Sequence, residues 1–326
     1  MAHPDVSVVV PVYNEEQGLP ALFARLYPAL DDLGRSYEVI FVNDGSRDRS
    51  AAILREQFQR RPDHTRVVLL NGNFGQHNAI MAAFSLCRGR RVVTLDADLQ
   101  NPPEEIGRLL AEMDRGHDYV GTIRRQRQDS WFRRTASRLM NRLRERITRI
   151  RMTDQGCMLR AYDAGIVDAI NRSEEVNTFI PALAYTFAAN PVEIEVAHEA
   201  RHAGETKYSL YRLFQLNFDL MTAFSVVPLQ VFSLLGIVVA VASVLVYVGV
   251  LVQRLLTGEI WLGLQQVWDR DILQFFLIGL VLFGQGLVGE YVGRIYEQVR
   301  GRPRYLIQAV LEQGGADAPP AGAARP

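Results

Sequence analysis

The chain has 326 residues, is 48% hydrophobic, and carries 36 basic against 36 acidic residues, enough for one sizeable core and a second unit. Its two cysteines, Cys87 and Cys157, sit in mostly apolar contexts without metal-ligand spacing, which excludes a thiolate metal site and points to a reducing compartment. The net charge is formally zero but segregated: from Arg124 to Arg151 eleven Arg stand against one Asp and one Glu.

The start, MAHPDVSVVV, lacks a basic segment and a long apolar run, so it does not read as a signal peptide. Strands and helices then alternate. DVSVVVPVY reads as a buried strand and Glu15 to Leu33 as a helix; YEVIFVND is a second strand, followed by a helix from Asp48 to Arg61. TRVVLLN is a third strand, followed by a helix from Gln76 to Cys87; RVVTLDAD is a fourth, followed by a helix opening at Pro102-Pro103, where proline suits the first turn. HDYVGTI is a fifth strand. This alternation predicts an α/β fold with a mostly parallel sheet covered on both faces. Ligands in such sheets bind beyond the carboxyl ends of the strands. The polar clusters Tyr13-Asn14-Glu15, Asn43-Asp44-Gly45-Ser46, Asn71-Gly72-Asn73 and Asp96-Ala97-Asp98 all fall there.

Within a first domain, residues 1–209, the segment 130–151 has Phe132, Ala136, Leu139, Met140, Leu143, Ile147 and Ile150 at helical spacing, an Arg-rich opposite face, and Trp131 at its start. That pattern predicts a basic amphipathic helix on an anionic membrane surface, against the alternatives of a solvated helix or a nucleic-acid patch. Residues 210–225 read as a second interfacial helix. Residues 226–252 contain no charge over 27 positions, and a second uncharged stretch opens at Ile272 and is taken as a span over 272–293. Each is close to the roughly 20 residues that cross a bilayer. The connection, 253–271, holds Arg254 and Arg270. The flanks hold Arg201, Lys207 and Arg212 on one side and Arg294, Arg300, Arg302 and Arg304 on the other, which places the first domain and the 294–326 tail in the cytoplasm. From about residue 314 the tail is Ala/Pro/Gly-rich and reads as disordered.

The stretch TLDADLQNPPEEI carries the chemistry. Asp96 and Asp98 repel each other unless a cation sits between them. If strand geometry continues to this point, both share one face, with Gln100 able to join. Hard oxygen ligands with positions left for phosphate describe a Mg²⁺ or Mn²⁺ site holding a nucleotide diphosphate. Asp98 is a candidate base as well as a ligand. Asp44 ends the second strand and suits a nucleobase N–H or a ribose hydroxyl, or else a turn. Glu15 suits a similar contact or a helix start. Gly75-Gln76-His77 is placed to face the donor sugar, with His77 read as a polar structural contact. Arg124, Arg133, Arg201 and Lys207 are candidate phosphate ligands.

At these residues the chain resembles a known family. PVYNEEQGLP, VNDGSRDRS, NFGQHNAIMAAF and TLDADLQNPPEEI are similar to the family-2 glycosyltransferases of GT-A fold. With the late apolar stretches, the resemblance narrows to the polyisoprenyl-phosphate glycosyltransferases. RQDSWFRRTASRLMNRL, DQGCMLRAYDAGIVDA, NTFIPALA, GETKYS and GEYVGRIYEQVRGRPRY look like the undecaprenyl-phosphate 4-deoxy-4-formamido-L-arabinose transferases. The resemblance implies a Rossmann-like GT-A domain at the bacterial inner membrane. It implies Pro11, Tyr13 and Glu15 on the nucleotide, Asp44 on uracil or ribose, and Asp96, Asp98 and Gln100 at the metal. Arg124, Arg133 and Ser137 would lie near the donor and acceptor phosphates, with Arg201 and Lys207 in the loop before the first span. It implies inverting transfer from a UDP-sugar to undecaprenyl phosphate, for lipid A modification and cationic-peptide resistance, with a homotetramer as the assembly and no nucleic-acid partner. Transfer of glucose or another hexose is the alternative. Two other classes are a membrane scaffold that binds nucleotide without turnover and a nucleic-acid-binding protein using the Arg-rich helix.

Overall fold

The computed structural model describes residues 3–124, 152–154, 156–173, 179–199, 226–257 and 267–314. The chain divides into two compact units, Met1–Ser209 with Gly301–Pro326, and Leu210–Arg300.

The first unit is built as β1 (Val6–Val12), α1 (Leu19–Asp31), β2 (Tyr37–Asn43), α2 (Ser50–Arg60), β3 (Thr65–Leu70), α3 (Gln76–Phe84), β4 (Arg91–Thr94), α4 (Ile106–Asp114), β5 (Tyr119–Arg124), β6 (Arg160–Asp163), α5 (Ala164–Arg172), α6 (Ile180–Phe187) and β7 (Pro191–Val196), and it is completed by β8 (Ile307–Leu311). One eight-stranded sheet runs β7-β5-β6-β4-β1-β2-β3-β8. The pairs β1–β2, β1–β4, β2–β3 and β5–β7 are parallel; β6 is antiparallel to both β4 and β5, and β8 is antiparallel to β3. The mostly parallel α/β sheet is therefore present, with three strands the sequence pattern does not announce.

The central strands are apolar on both faces because both faces are covered. Val6, Val8, Val10 and Val12 of β1 enter one core with Leu19, Leu22, Leu26 and Leu30 of α1, while Val9 enters the other with Ile80 and Phe84 of α3. The strand period of two and the helical spacing thus meet across each layer. At the amino ends of the strands a buried polar set fixes register. Ser7 Oγ donates to Glu38 Oε1 at 2.6 Å, and Arg66 Nη1 donates to Glu38 Oε2 at 3.0 Å. Glu312, just past β8, pairs with both Arg66 and Arg88, which ties the returning tail to the sheet edge.

The second unit contains α7 (Val227–Thr257, 31 residues) and α8 (Val267–Val299, 33 residues), longer than the expected spans 226–252 and 272–293. Phe232 and Phe283 pack with ring centroids 5.5 Å apart, and a Cβ on Gly284 would collide with the Phe232 ring. Among the described residues no helix is long and apolar enough to cross a membrane, so two transmembrane helices are not shown by them. The two interfacial helices expected at 130–151 and 210–225, and the tail beyond residue 314, lie outside the described residues.

Candidate active site

The carboxyl ends of β1 and β4 form the centre of the site. Pro11 is the reason they separate. The next ladder bond from β1 to β4 after Leu95 N–H to the Val9 carbonyl would be donated by residue 11, and proline has no N–H. The pairing stops at Thr94, and residues 95–100 leave the sheet as a turn. The sequence expectation that strand geometry continues to Asp98 is therefore corrected. The alternation survives in burial, however: Leu95, Ala97 and Leu99 are buried, while Asp96, Asp98 and Gln100 are partly exposed between them. Leu99 has φ 60, an uncommon conformation for a bulky residue, and its buried side chain holds it there. Asp98 Oδ1 accepts the Gln100 N–H at 3.1 Å, and Gln76 Nε2 donates to Asp96 Oδ1 at 2.6 Å.

Tyr13 is 44% exposed just past β1. The residues after it are zipped to the loop between β2 and α2. Asn14, at φ 55, donates its N–H to Ser46 Oγ and accepts the Arg47 N–H on Oδ1; the Glu15 N–H goes to Ser50 Oγ and the Glu16 N–H to Asp48 Oδ2. Ser50 and Asp48 thus anchor the β1 loop, a role invisible in either motif alone. A Cβ on Gly18 would lie 3.3 Å from Glu15 Oε2, so the Glu15 carboxylate lies over that glycine at the start of α1.

Asp44 is 2% exposed. Its two carboxylate oxygens accept the N–H groups of Phe74, at 2.7 Å, and Gly75, at 2.9 Å. This carboxylate grips the loop between β3 and α3, the turn alternative of the sequence reading, and each oxygen keeps a second lone pair for a further donor. Gly45, at φ 65, allows the grip, since a Cβ there would lie 2.4 Å from the Gly72 carbonyl carbon. A cleft of about 450 Å³ lies beyond the ends of β2 and β3, lined in part by Ser46, Arg47, Arg55, Asn73 and Gln308.

Arg124 ends β5 and is held by Asp154, with Nε to Oδ2 at 2.6 Å and Nη2 to Oδ1 at 2.8 Å. The carboxylate raises the guanidinium pKa; burial opposes ionisation of Asp154, but Arg124 and the Gly156 N–H outweigh it and hold the acid below its usual range. A Cβ on Gly156 would lie 2.8 Å from Arg124 Nη2, so the glycine makes room for the pair. Arg160, 0% exposed, donates to the carbonyls of Cys157 and Asp154 and to Tyr119 Oη. Asp154 and Arg160 have no role in the sequence reading; the signal was the carboxylate two residues before Gly156, meaningful only once Arg124 lies opposite.

Among the described residues His77 Nδ1 is buried with no hydrogen-bond partner, and its ring meets Phe179 at 5.2 Å. Burial, with a smaller contribution from Arg160, lowers its pKa to about 4. The structure thus brings together Asp96, Asp98, Gln100 and Gln76, with Pro11, Tyr13, Glu15 and Asp44 on adjoining strand ends and Arg124 at the end of β5. Arg133, Ser137, Arg201 and Lys207 lie outside the described residues.

Residues 7–170, about half of the chain, match the family model for glycosyl transferase family 2. Similar solved structures include glucosyl-3-phosphoglycerate synthase from Mycobacterium tuberculosis with phosphoglyceric acid, at 15% identity and TM-score 0.47 over 68% of this chain and 79% of that one. The same enzyme with Mn²⁺, UDP-glucose and phosphoglyceric acid matches at 15% identity and TM-score 0.47, over 68% and 78%. TarS residues 1–349 from S. aureus with UDP-GlcNAc match at 18% identity and TM-score 0.45, over 67% and 65%.

Proposed function

The chain belongs to glycosyl transferase family 2, and from that premise we propose that it transfers 4-deoxy-4-formamido-L-arabinose from a UDP donor to undecaprenyl phosphate, with inversion at the anomeric carbon, at the cytoplasmic face of a bacterial inner membrane. The observation that supports catalysis most directly is the turn after β4, which leaves Asp96, Asp98 and Gln100 partly exposed beyond the sheet while Leu95, Ala97 and Leu99 anchor it.

That donor set fits Mg²⁺ or Mn²⁺. Its oxygens are hard, and two carboxylates leave coordination positions for phosphate and water. Among the described residues no group of three or more His, Cys, Asp or Glu side chains could hold a metal ion. Asp96 and Asp98 would hold the ion, with Gln100 offering its amide oxygen. The ion would offset the charge on the departing UDP.

The chain's own residues do the positioning. Asp154 engages Nε and Nη2 of Arg124, which fixes the direction in which the guanidinium would meet a phosphate oxygen. A phosphate monoester has a second pKa near 6, so the acceptor is mostly dianionic at neutral pH and needs no strong base. Asp98, engaged with the Gln100 N–H, then serves as a ligand rather than a base. The work that remains is alignment and stabilisation of the leaving group.

The membrane part of the proposal is supported by the 27 uncharged residues at 226–252 and by the side chains of α7 and α8. Leu234, Ile237, Val238, Leu245, Val281 and Leu282 are each 56–66% exposed, surface that a lipid environment would cover.

The test is product formation by the purified chain in detergent, with undecaprenyl phosphate, a divalent cation and, in parallel, the UDP-formamidoarabinose, UDP-glucose and UDP-N-acetylglucosamine donors. Transfer from the first alone is expected. Transfer from a hexose donor instead would overturn the sugar assignment and keep the acceptor. Failure of every donor with this acceptor would overturn the acceptor.

A further inference from the structure

We infer that Asp44 is a positioning residue: through the backbone of Phe74 and Gly75 it sets Gln76, whose amide orients the Asp96 carboxylate toward the divalent cation. The inference rests on the metal reading above.

Asp44 is committed twice over. Each of its oxygens accepts one of two consecutive N–H groups, and it is 2% exposed. Two successive N–H groups converge on one carboxylate only where the backbone curls, and Gly75 supplies the curl at φ 89. The same loop is fixed at two further points. Asn73 Nδ2 donates to the Asp44 carbonyl at 3.3 Å, and the Gly72 backbone abuts Gly45 so closely that a Cβ would clash. The next residue is Gln76, the first of α3. Its side chain is exposed, yet its Nε2 donates to Asp96 Oδ1 at 2.6 Å.

That contact is functional in kind. An exposed Gln otherwise keeps its rotamer freedom, so an ordered amide on a carboxylate reflects a charge-assisted bond. Taking one oxygen of Asp96 fixes the rotation of the whole carboxylate. A neutral donor does so without competing as a cation. Hydrogen bonds to a metal ligand of this kind typically change metal affinity by about 10–100-fold.

The experiment uses the full chain in detergent and measures Mn²⁺ binding in the presence of UDP by the electron paramagnetic resonance signal of free Mn²⁺. UDP and CDP affinities are measured in parallel. The variants are Gln76→Ala, Asp44→Asn and the pair combined. Each single change should weaken Mn²⁺ by roughly 10-fold. The double variant should be no weaker than the worse single, since both act through one contact. Preference for UDP over CDP should persist in Gln76→Ala. Gln76→Ala removes an exposed side chain and should leave the thermal midpoint unchanged. Should Asp44→Asn not fold, Gly75→Ala takes its place, because alanine at φ 89 displaces the same backbone.

Wild-type Mn²⁺ affinity in Asp44→Asn would overturn the inference. Wild-type Mn²⁺ affinity in Gln76→Ala, or additive effects in the double variant, would also overturn it. A wild-type chain that binds UDP without Mn²⁺ would fail the metal reading itself, a defect visible before any substitution.

Discussion

Gly45→Ala isolates the close approach of the β2 and β3 loops, and Gly34→Ala is its internal control. The two glycines have nearly the same backbone, φ 65 and φ 63. Among the described residues a Cβ on Gly34 would meet nothing within 4 Å, whereas one on Gly45 would lie 2.4 Å from the Gly72 carbonyl carbon and 2.7 Å from the Asn73 nitrogen. The left-handed backbone costs alanine about 1–2 kcal/mol at either site. The clash at Gly45 adds a term of the size found for overpacking, about 1–3 kcal/mol, because the obstructing atoms are backbone. With about 2–4 °C per kcal/mol for a domain of this size, the two variants should differ in thermal midpoint by roughly 5 °C. The assay is thermal unfolding of the full chain followed by far-UV circular dichroism, with Mn²⁺ and UDP binding alongside. Gly45→Ala should also weaken the cation, since the displaced loop carries Gln76. Equal midpoints for the two variants would refute the close packing of these loops and the argument built on it.

His77, with its pKa lowered to about 4, is neutral at pH 7 and resists protonation in the folded state. The folded chain therefore loses stability as pH falls from about 6.5 toward 4, by up to about 3 kcal/mol, with no further loss from this group below that. His77→Gln should flatten that slope in thermal midpoints taken from pH 7.5 to 4.5; an unchanged slope would mean that the ring titrates normally. Asp154→Ala removes the bidentate partner of Arg124 and leaves a guanidinium only partly reached by water. The cost should be about 2–3 kcal/mol, discounted from the buried-pair range because Arg124 is a quarter exposed. Chemical denaturation reads that cost, and steady-state kinetics should show lower turnover. Wild-type kinetics would leave the ion pair a purely structural brace.

The amino-acid sequence by itself determined the five parallel-type strands of the first half, the helices between them, and the location of the polar strand ends. It could do so because both faces of the sheet are covered, so β1 to β3 are near-continuous apolar runs, and because α1 repeats Leu19, Leu22, Leu26 and Leu30 at helical spacing. It also determined the Asp96, Asp98 and Gln100 set, whose alternation with buried Leu95, Ala97 and Leu99 is local.

What it left undecided depends on residues distant in the chain. β6 and β7 are short, and β8 lies after two long helices; each is a strand only because a neighbour offers an edge, β4 to β6, β5 to β7 and β3 to β8. That Asp44 of VNDGS anchors a loop shows only once Phe74 and Gly75 fold over it. Asp154 acquires a role only when the sheet brings it to Arg124, 30 residues earlier. Pro11 stands in a motif associated with nucleotide, yet its missing N–H is what releases β4 and lets the two aspartates leave the sheet. Hydrophobic period is a property of neighbours along the chain, and it is legible there. The direction in which a carboxylate spends its hydrogen bonds is set by whichever donors the tertiary structure brings within about 3 Å, and only the folded chain decides that.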